Sequence, residues 1–179
     1  MPTVELFFDA SSESRIRDLS NQFASFGSPI IRESSVRPHI TLLACDSMDV
    51  TTASTFLERI ATITPSFAVS LGSFGLFPAP LPVAFLAPKV TSDLLALQAR
   101  IFAEFSSLAA GCSSLYSPEQ WIPHCTLALE LSPQHLGFAL DACRTFGLPL
   151  ACIASEIGLV EYSPCRQLYS KSLATVRDA

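Results

Sequence analysis

The chain is poor in charge, in basic clusters and in long apolar runs, and each shortage excludes a class of protein. Charged residues make up 15% of its 179 residues, well below the level of about a quarter that is usual for globular domains. The formal net charge is −5, and lysine and arginine are scattered along the sequence. A protein that follows long nucleic acid needs a basic surface, so this class is not expected.

Neither the cysteines nor the hydrophobic runs indicate a metal cluster, a disulfide framework or a membrane span. The six cysteines include no C-x-x-C pair and are predicted to be small buried side chains in a reducing compartment. The most apolar stretch, 74–88, is interrupted by Pro78, Pro80 and Pro82, and no run reaches the roughly 18 apolar residues of a spanning helix. The beginning of the chain lacks a signal-peptide pattern. The sequence is therefore interpreted as a cytoplasmic protein without a membrane partner.

Hydropathy patterning predicts alternating strands and helices. Hydrophobic residues make up 49% of the chain, which favours a sheet covered by helices. Glycines at 27, 111 and 147 follow three of the predicted helices as stop signals. Period-two and helical spacing predict strands at 4–8, 39–44, 67–77, 83–87, 124–131, 150–162 and 167–173, and helices at 11–26, 50–61, 92–110 and 132–146.

The order of these elements repeats in the two halves of the chain. The strand at 4–8 recurs at 83–87, and the strand that opens on His39 recurs at His124. Such a repeat predicts a duplicated strand-helix-strand-helix-strand unit, with two copies packed about a pseudo-twofold axis. The proline-rich segment 78–82 is stiff and extended, and it is interpreted as the crossover between the copies.

Two of the three histidines occur in the same short motif. His39 and His124 each follow a proline and each precede a threonine by two positions, as Pro-His-Ile-Thr-Leu and Pro-His-Cys-Thr-Leu, whereas His135 has no such threonine. Coincidence has a probability on the order of 10⁻⁴. Because side chains alternate across a strand, the histidine and Thr41 or Thr126 of each motif share one face. A twofold arrangement is predicted to bring both pairs to one centre.

This set of side chains suits the cleavage of a phosphodiester. Two imidazoles with pKa values near 6.5 can hold opposite protonation states close to neutral pH, one as a base and one as an acid. Threonine hydroxyls can donate hydrogen bonds to the non-bridging oxygens, and no metal or cofactor is required. The alternatives are strand-end histidines bonded to neighbouring carbonyls and a zinc site of His39, His124, His135 and a cysteine. Threonine is a poor zinc ligand.

The motifs, the duplicated halves and the final segment 160–173, VEYSPCRQLYSKSL, resemble the 2H phosphoesterase superfamily. Its members include 2′-5′ RNA ligase-like proteins and cyclic nucleotide phosphodiesterases. The resemblance implies an α+β fold in which antiparallel sheets line a central cleft and helices lie outside. It implies a single bilobal domain over 1–179, with lobes at about 1–78 and 83–179.

The same resemblance implies metal-independent hydrolysis or ligation at 2′,3′-cyclic phosphates or 2′-5′ linkages. His39 and His124 would be catalytic, and Thr41 and Thr126 would bind phosphate. The second-motif histidine, His124, would be the base that activates water, and His39 would be the acid.

The leading hypothesis is a hydrolase that opens a 2′,3′-cyclic phosphate on a small nucleotide or an RNA terminus. One alternative is a module that binds a nucleotide or phosphate without turnover, and another is a 2′-5′ RNA ligase that acts on RNA ends. Aromatic side chains can stack on a base, and arginines can contact a second phosphate, although core packing or a solvated charge is the alternative for each. The candidates are Phe77, Tyr116 and Trp121, then Phe74 and Tyr162, with Arg37 and Arg166 for phosphate.

Overall fold

Strands and helices alternate along the chain as the sequence predicts, and the α+β class is confirmed. The computed structural model describes residues 1–23, 36–78, 82–162 and 164–175. The predicted helix stop at Gly27 and residues 79–81 of the crossover lie outside these residues. The elements are β1 Pro2–Phe8, α1 Ala10–Gln22, β2 His39–Ala44, β3 Ser47–Met48, α2 Val50–Ile63, β4 Phe67–Phe77, β5 Val83–Pro88, α3 Ser92–Phe105, β6 Ala109–Ala110, β7 Cys125–Ala128, α4 Leu136–Phe146, β8 Leu150–Glu161 and β9 Arg166–Ser172.

Seven strands form one antiparallel sheet in which the two halves of the sequence interleave. The order is β2-β1-β8-β4-β5-β7, with β9 also paired with β8. β8, from the second half of the sequence, lies between β1 and β4, both from the first half, and pairs with each of them. Exchanging β1 with β5, β2 with β7 and β4 with β8 gives the same strand order read from the opposite edge of the sheet. This twofold relation is consistent with duplication. A small second sheet contains β3 and β6, and the division into two lobes stays a prediction.

The strands that carry the two motifs have matching registers. Glu5 on β1 lies opposite Thr41 on β2, and Phe85 on β5 lies opposite Thr126 on β7. The register shifts immediately before Glu5 in one pair and immediately before Phe85 in the other. A bulge of this kind re-aims the side chains that follow it. The two motifs therefore have matching strand pairing, and they differ in the residue on the neighbouring strand, which is Glu5 for the first motif and Phe85 for the second.

Local signals place the ends of the helices. Asp9 caps α1 by accepting hydrogen bonds from the backbone N–H groups of Ser11 at 2.9 Å and Ser12 at 3.0 Å. Asp49 caps α2 in the same way, and α4 ends at Gly147, whose φ of 84° favours glycine. Within the described residues, no helix combines the length and the apolar character needed to cross a bilayer.

Two predicted element ends are wrong because tertiary contacts override local preference. The helix predicted at 92–110 ends at Phe105, since Ala109 and Ala110 pair with β3 despite the high helix propensity of alanine. The strand predicted at 124–131 ends at Ala128, and Glu130 turns the chain with a φ of 57°. Leu131 then donates its N–H to the carbonyl of Pro82 at 3.1 Å.

The prediction that all cysteines are reduced is wrong for one pair. Cys45 and Cys112 form a disulfide. Pairing between β3 and β6 aligns the two segments, because Asp46 donates its N–H to the carbonyl of Ala110 and Ser113 donates to that of Ala44. Buried thiols, as predicted, are found at Cys125, Cys143 and Cys152.

Candidate active site

The two outermost strands of the sheet, β2 and β7, contact each other, so the sheet must curve. Trp121, just before β7, donates a hydrogen bond from Nε1 to the carbonyl of Thr41 at 3.0 Å. Gln98 on α3 donates to the carbonyls of Leu42 on β2 and of Tyr116. This closure brings the two Pro-His-x-Thr motifs to one side of the molecule.

Both imidazoles are anchored by the same backbone contact. Nδ1 of His39 lies 2.7 Å from the carbonyl of Arg37, and Nδ1 of His124 lies 2.7 Å from the carbonyl of Ile122. A carbonyl only accepts, so each Nδ1 carries a hydrogen and donates it. In each ring this leaves Nε2 as the nitrogen that can take up or release a proton.

A buried carboxylate, Glu5, contacts the first motif. Its side chain is 0% exposed, and its Oε2 lies 3.2 Å from Nε2 of His39. Thr41 donates its hydroxyl to the same oxygen at 3.1 Å. The other oxygen accepts hydrogen bonds from Thr3 at 2.6 Å and from Tyr162 at 3.4 Å. The carboxylate thus joins both side chains of the first motif to one hydrogen-bond network.

The sequence analysis missed Glu5, although the sequence contains a signal for it. The strand VELFF contains a single charged residue, Glu5, flanked by apolar Val4 and Leu6. A carboxylate is rarely buried without partners, so a glutamate within a predicted buried strand indicates a specific contact. Its partner was not evident, because Glu5 and Thr41 are neighbours only after β1 pairs with β2.

Aromatic rings surround the second motif. The ring of Phe77 lies edge-on to His124 with centroids 4.9 Å apart, and the ring of Phe85 lies 5.4 Å away. Burial lowers the pKa of His124 below its ordinary value; the charge of His39 acts in the same direction, while the hydrogen bond to Ile122 and the charge of Glu5 oppose it. The neutral form of His124 is therefore favoured.

Two tyrosines complete the surroundings of the first motif. The hydroxyl of Tyr162 lies 3.3 Å from Nε2 of His39. Burial, reinforced by the charge of Glu5, raises the pKa of Tyr162. The same two causes raise the pKa of Tyr116, against a hydrogen bond with Thr41. Both phenols therefore stay protonated and can act as hydrogen-bond donors.

A pocket of about 310 Å³ opens beside His124. The three foremost aromatic candidates from the sequence, Phe77, Tyr116 and Trp121, all line it, and Gln120 adds an amide. No aspartate, glutamate, lysine or arginine lines the pocket in the described part of the chain. It therefore suits an uncharged, flat group.

The remaining candidates contact other parts of the protein. The guanidinium of Arg37 pairs with Glu13 and Glu156, at 2.7 Å each, and Arg166 pairs with Glu161. Phe74 stacks on Phe23, with ring centroids 6.2 Å apart. Since both guanidinium groups have carboxylate partners, their contact with a second phosphate stays a prediction.

Metal ligation was weighed as an alternative for the histidines. Across 1–23, 36–78, 82–162 and 164–175, no three histidine, cysteine or acidic side chains cluster closely enough to hold a metal ion. The third histidine, His135, lies in the turn before α4 with its ring centroid 6.3 Å from that of Phe138.

Comparison with known proteins identifies the fold and the family of this chain. Residues 8–164 match the sequence model of the 2′-5′ RNA ligase superfamily, whereas no curated protein sequence matches. The structure of TT0787 from Thermus thermophilus is similar, with a TM-score of 0.67 at 17% identity over 98% of this chain and 99% of that one. For E. coli LigT complexed with 3′-AMP, the TM-score is 0.62 at 13% identity over 97% and 98%. At this identity the structures show a shared fold, and the family match shows that the chain belongs to the 2′-5′ RNA ligase superfamily of 2H phosphoesterases.

Proposed function

We propose that the protein is a metal-independent phosphodiesterase that opens a 2′,3′-cyclic phosphate, on a nucleotide or an RNA end, to a phosphomonoester. The observation that carries this proposal is the matched anchoring of His39 and His124. Each ring donates Nδ1 to a backbone carbonyl. The two histidines lie at the starts of β2 and β7, which contact each other although they lie at opposite ends of the strand order. Two equivalent Nε2 atoms are what acid–base catalysis on opposite sides of a phosphorus requires.

The surroundings of the two rings favour different roles. The lowered pKa of His124 keeps a lone pair on Nε2, as a general base needs. Nε2 of His39 lies 3.2 Å from a buried carboxylate oxygen of Glu5, and a carboxylate this close favours a hydrogen on Nε2 in addition to the one that Nδ1 donates to Arg37. That doubly protonated imidazolium is the form of a general acid.

The reaction follows from these roles. His124 Nε2 takes one proton from a water molecule while the water oxygen forms a bond to phosphorus. The bond from phosphorus to one ribose oxygen breaks, and His39 Nε2 gives that oxygen its proton. Thr41 and Thr126 donate hydrogen bonds to the non-bridging oxygens, for which Thr41 must turn its hydroxyl away from Glu5.

The apolar pocket supports a nucleotide or an RNA terminus as the substrate. A space of about 310 Å³ beside His124 is wide enough for a nucleobase, and Phe77, Tyr116 and Trp121 provide aromatic surface for it. Structures of E. coli LigT contain 3′-AMP, ATP or NADP⁺. A base lying in this pocket would leave the cyclic phosphate beside His124.

The direct test is the hydrolysis of 2′,3′-cyclic nucleotides in the presence of a chelator. We expect turnover to a phosphomonoester at an unchanged rate after chelation, because the proposed proton transfers need only imidazoles. Product is measured by chromatography, with 3′,5′-cyclic nucleotides as control substrates. A folded protein that binds these nucleotides without turnover would instead be a binding module, and 2′-5′ joining of RNA ends would indicate a ligase.

The pH dependence tests the assignment of the base. Because the pKa of His124 is lowered, the neutral base survives to lower pH than for an ordinary histidine of about 6.5. We expect a bell-shaped profile of kcat/KM whose acidic limb lies below about pH 6.5, with activity lost as the pH falls through that pKa.

A matched pair of aromatic variants identifies the cause of this shift. Phe77→Ala removes a ring that shields His124 and is expected to move the acidic limb to higher pH, towards the ordinary value. Phe56→Ala removes a ring that packs on Phe105 instead and should leave the limb where it is. If the acidic limb stays at the same pH in Phe77→Ala, the assignment of His124 as the base is contradicted.

A further inference from the structure

One equivalent position in the two halves is occupied by different side chains. Glu5 faces Thr41 across β1 and β2, and Phe85 faces Thr126 across β5 and β7, each directly after a register shift. The first motif thus has a carboxylate 3.2 Å from Nε2 of its histidine. The second motif has a phenyl ring with its centroid 5.4 Å from that of His124.

We propose that this difference gives two histidines of identical chemistry their opposite roles. Glu5 is a positioning residue that holds His39 as the proton donor, and Phe85 is a positioning residue that holds His124 as the proton acceptor. The catalytic meaning rests on the proposed function. The protonation states themselves can be measured without any turnover.

The contacts of Glu5 favour a cation beside it. A buried carboxylate is costly unless an opposite charge compensates it, and in the described part of the chain its ion-pair partner is His39 rather than a lysine or arginine. Thr3, Thr41 and Tyr162 all donate hydroxyls to it. With a hydrogen on each nitrogen, His39 can donate Nδ1 to the carbonyl of Arg37 while its positive charge lies beside the Glu5 carboxylate, 3.2 Å from Nε2.

The other titratable and charged groups near His39 do not compete for this role. Tyr162, after β8, has a raised pKa and stays neutral. Arg37, before β2, directs its guanidinium to Glu13 and Glu156, and only its carbonyl binds the ring. His124, before β7, can also become a cation, and its charge would oppose a second imidazolium.

The surroundings of Phe85 favour a neutral ring instead. Its ring packs on Phe77, with centroids 4.4 Å apart, and both rings lie against His124. Gly75 on the neighbouring strand makes room for it, since a Cβ there would lie 2.3 Å from Cε2 of Phe85. A proton on Nε2 of His124 would be buried against these rings, where a charge is costly without a partner.

The test uses the full chain with ¹⁵N-labelled histidine and reads the ring nitrogens by NMR at neutral pH. In the parent protein we expect His39 to carry hydrogens on both nitrogens and His124 to carry one, on Nδ1. The isosteric Glu5→Gln variant should lose the Nε2 hydrogen of His39. The matched control Glu104→Gln, which removes an ion-pair carboxylate facing Arg59 on the surface, should leave both rings unchanged.

Kinetics give a second reading of the same variants. Glu5→Gln is expected to lower kcat on the order of a hundredfold, within the range for loss of a general acid, while KM changes little. The loss should grow as the pH rises, because the neutral ring then dominates. A purely structural role for Glu5 would lower the rate equally at all pH values, and that result would overturn the proposal.

Other outcomes separate this inference from the proposed function. A neutral His39 in the parent protein, or the same doubly protonated ring in Glu5→Gln, would overturn the inference whatever the activity. The expected spectra without hydrolysis of any cyclic phosphate would support the inference and contradict the function. If Glu5→Gln does not fold, the parent spectrum and Phe85→Leu decide, since Phe85→Leu should raise the pH at which His124 takes up a proton.

Discussion

Hydrolysis of a 2′,3′-cyclic phosphate is expected to slow about 10²–10⁴-fold when either His39 or His124 is replaced by alanine. In the proposed mechanism the two rings act on opposite sides of phosphorus, so each substitution would remove a proton transfer that the other histidine cannot supply. The double variant should be little slower than either single one, since residues that act as a unit are not additive. Initial rates at saturating substrate measure these effects.

The third histidine supplies the matched control. His135→Ala removes an imidazole in the turn before α4, where the ring contacts Phe138, and should leave the rate within about twofold, as expected for a site outside the proton transfers. Circular dichroism of each variant verifies that the fold is intact. Full activity in either motif variant would contradict the two-histidine mechanism.

Replacing Trp121 by alanine is expected to destabilise the protein by about 3–5 kcal/mol. Its side chain is 8% exposed and donates Nε1 to the carbonyl of Thr41, so it holds the segment before His124 against β2. Trp121→Phe keeps most of the ring but loses the hydrogen bond, which should cost about 0.5–1.5 kcal/mol. Urea denaturation measures both, and kcat should fall with Trp121→Ala as the two motifs separate.

An exposed aromatic residue controls for the loss of a ring alone. Phe138 on α4 is 65% exposed, and Phe138→Ala should change the free energy of unfolding by less than about 0.5 kcal/mol. If Trp121→Ala were as stable as the parent, contacts other than this ring would have to hold β2 and β7 together. Trp121 would then be left with only its predicted role in stacking on a base.

If the proposed function holds, the repeated motif and its unequal neighbours explain how a symmetric arrangement can perform an asymmetric reaction. The two Pro-His-x-Thr sequences lie at strands with matching registers, and the same backbone contact anchors both rings. Divergence at one facing position, Glu5 or Phe85, then changes the charge around each ring. Acid and base need no other difference in the motifs themselves.

Arg37 shows how a residue can matter at a site through a different group from the one predicted. Its guanidinium was a candidate for phosphate, yet it pairs with Glu13 and Glu156 and lies 4.1 Å from the centre of the Phe7 ring. Its backbone carbonyl anchors His39. A sequence motif suggests roles for side chains only. The role of a backbone carbonyl, such as that of Arg37, depends on the conformation of the chain around it.

The sequence by itself determined the order of the longer strands and helices and the alternation within each motif. These depend on local rules: in HITLLA, His39 and Thr41 are half-buried while Ile40 and Leu42 are buried, as period two requires. Capping by Asp9 and Asp49 and termination at Gly147 are equally local.

Tertiary structure alone decided the contacts made between segments distant in the chain. The disulfide of Cys45 and Cys112 depends on the pairing of β3 with β6, and the same pairing ends α3 early. The meeting of β2 with β7 depends on the curvature of the whole sheet. Glu5 lies close to His39 because the pairing of β1 with β2, whose register shifts immediately before Glu5, places Glu5 opposite Thr41. Alternation assigns a residue to a face of a strand, but which strand lies opposite, and in which register, is decided by packing of the complete sheet.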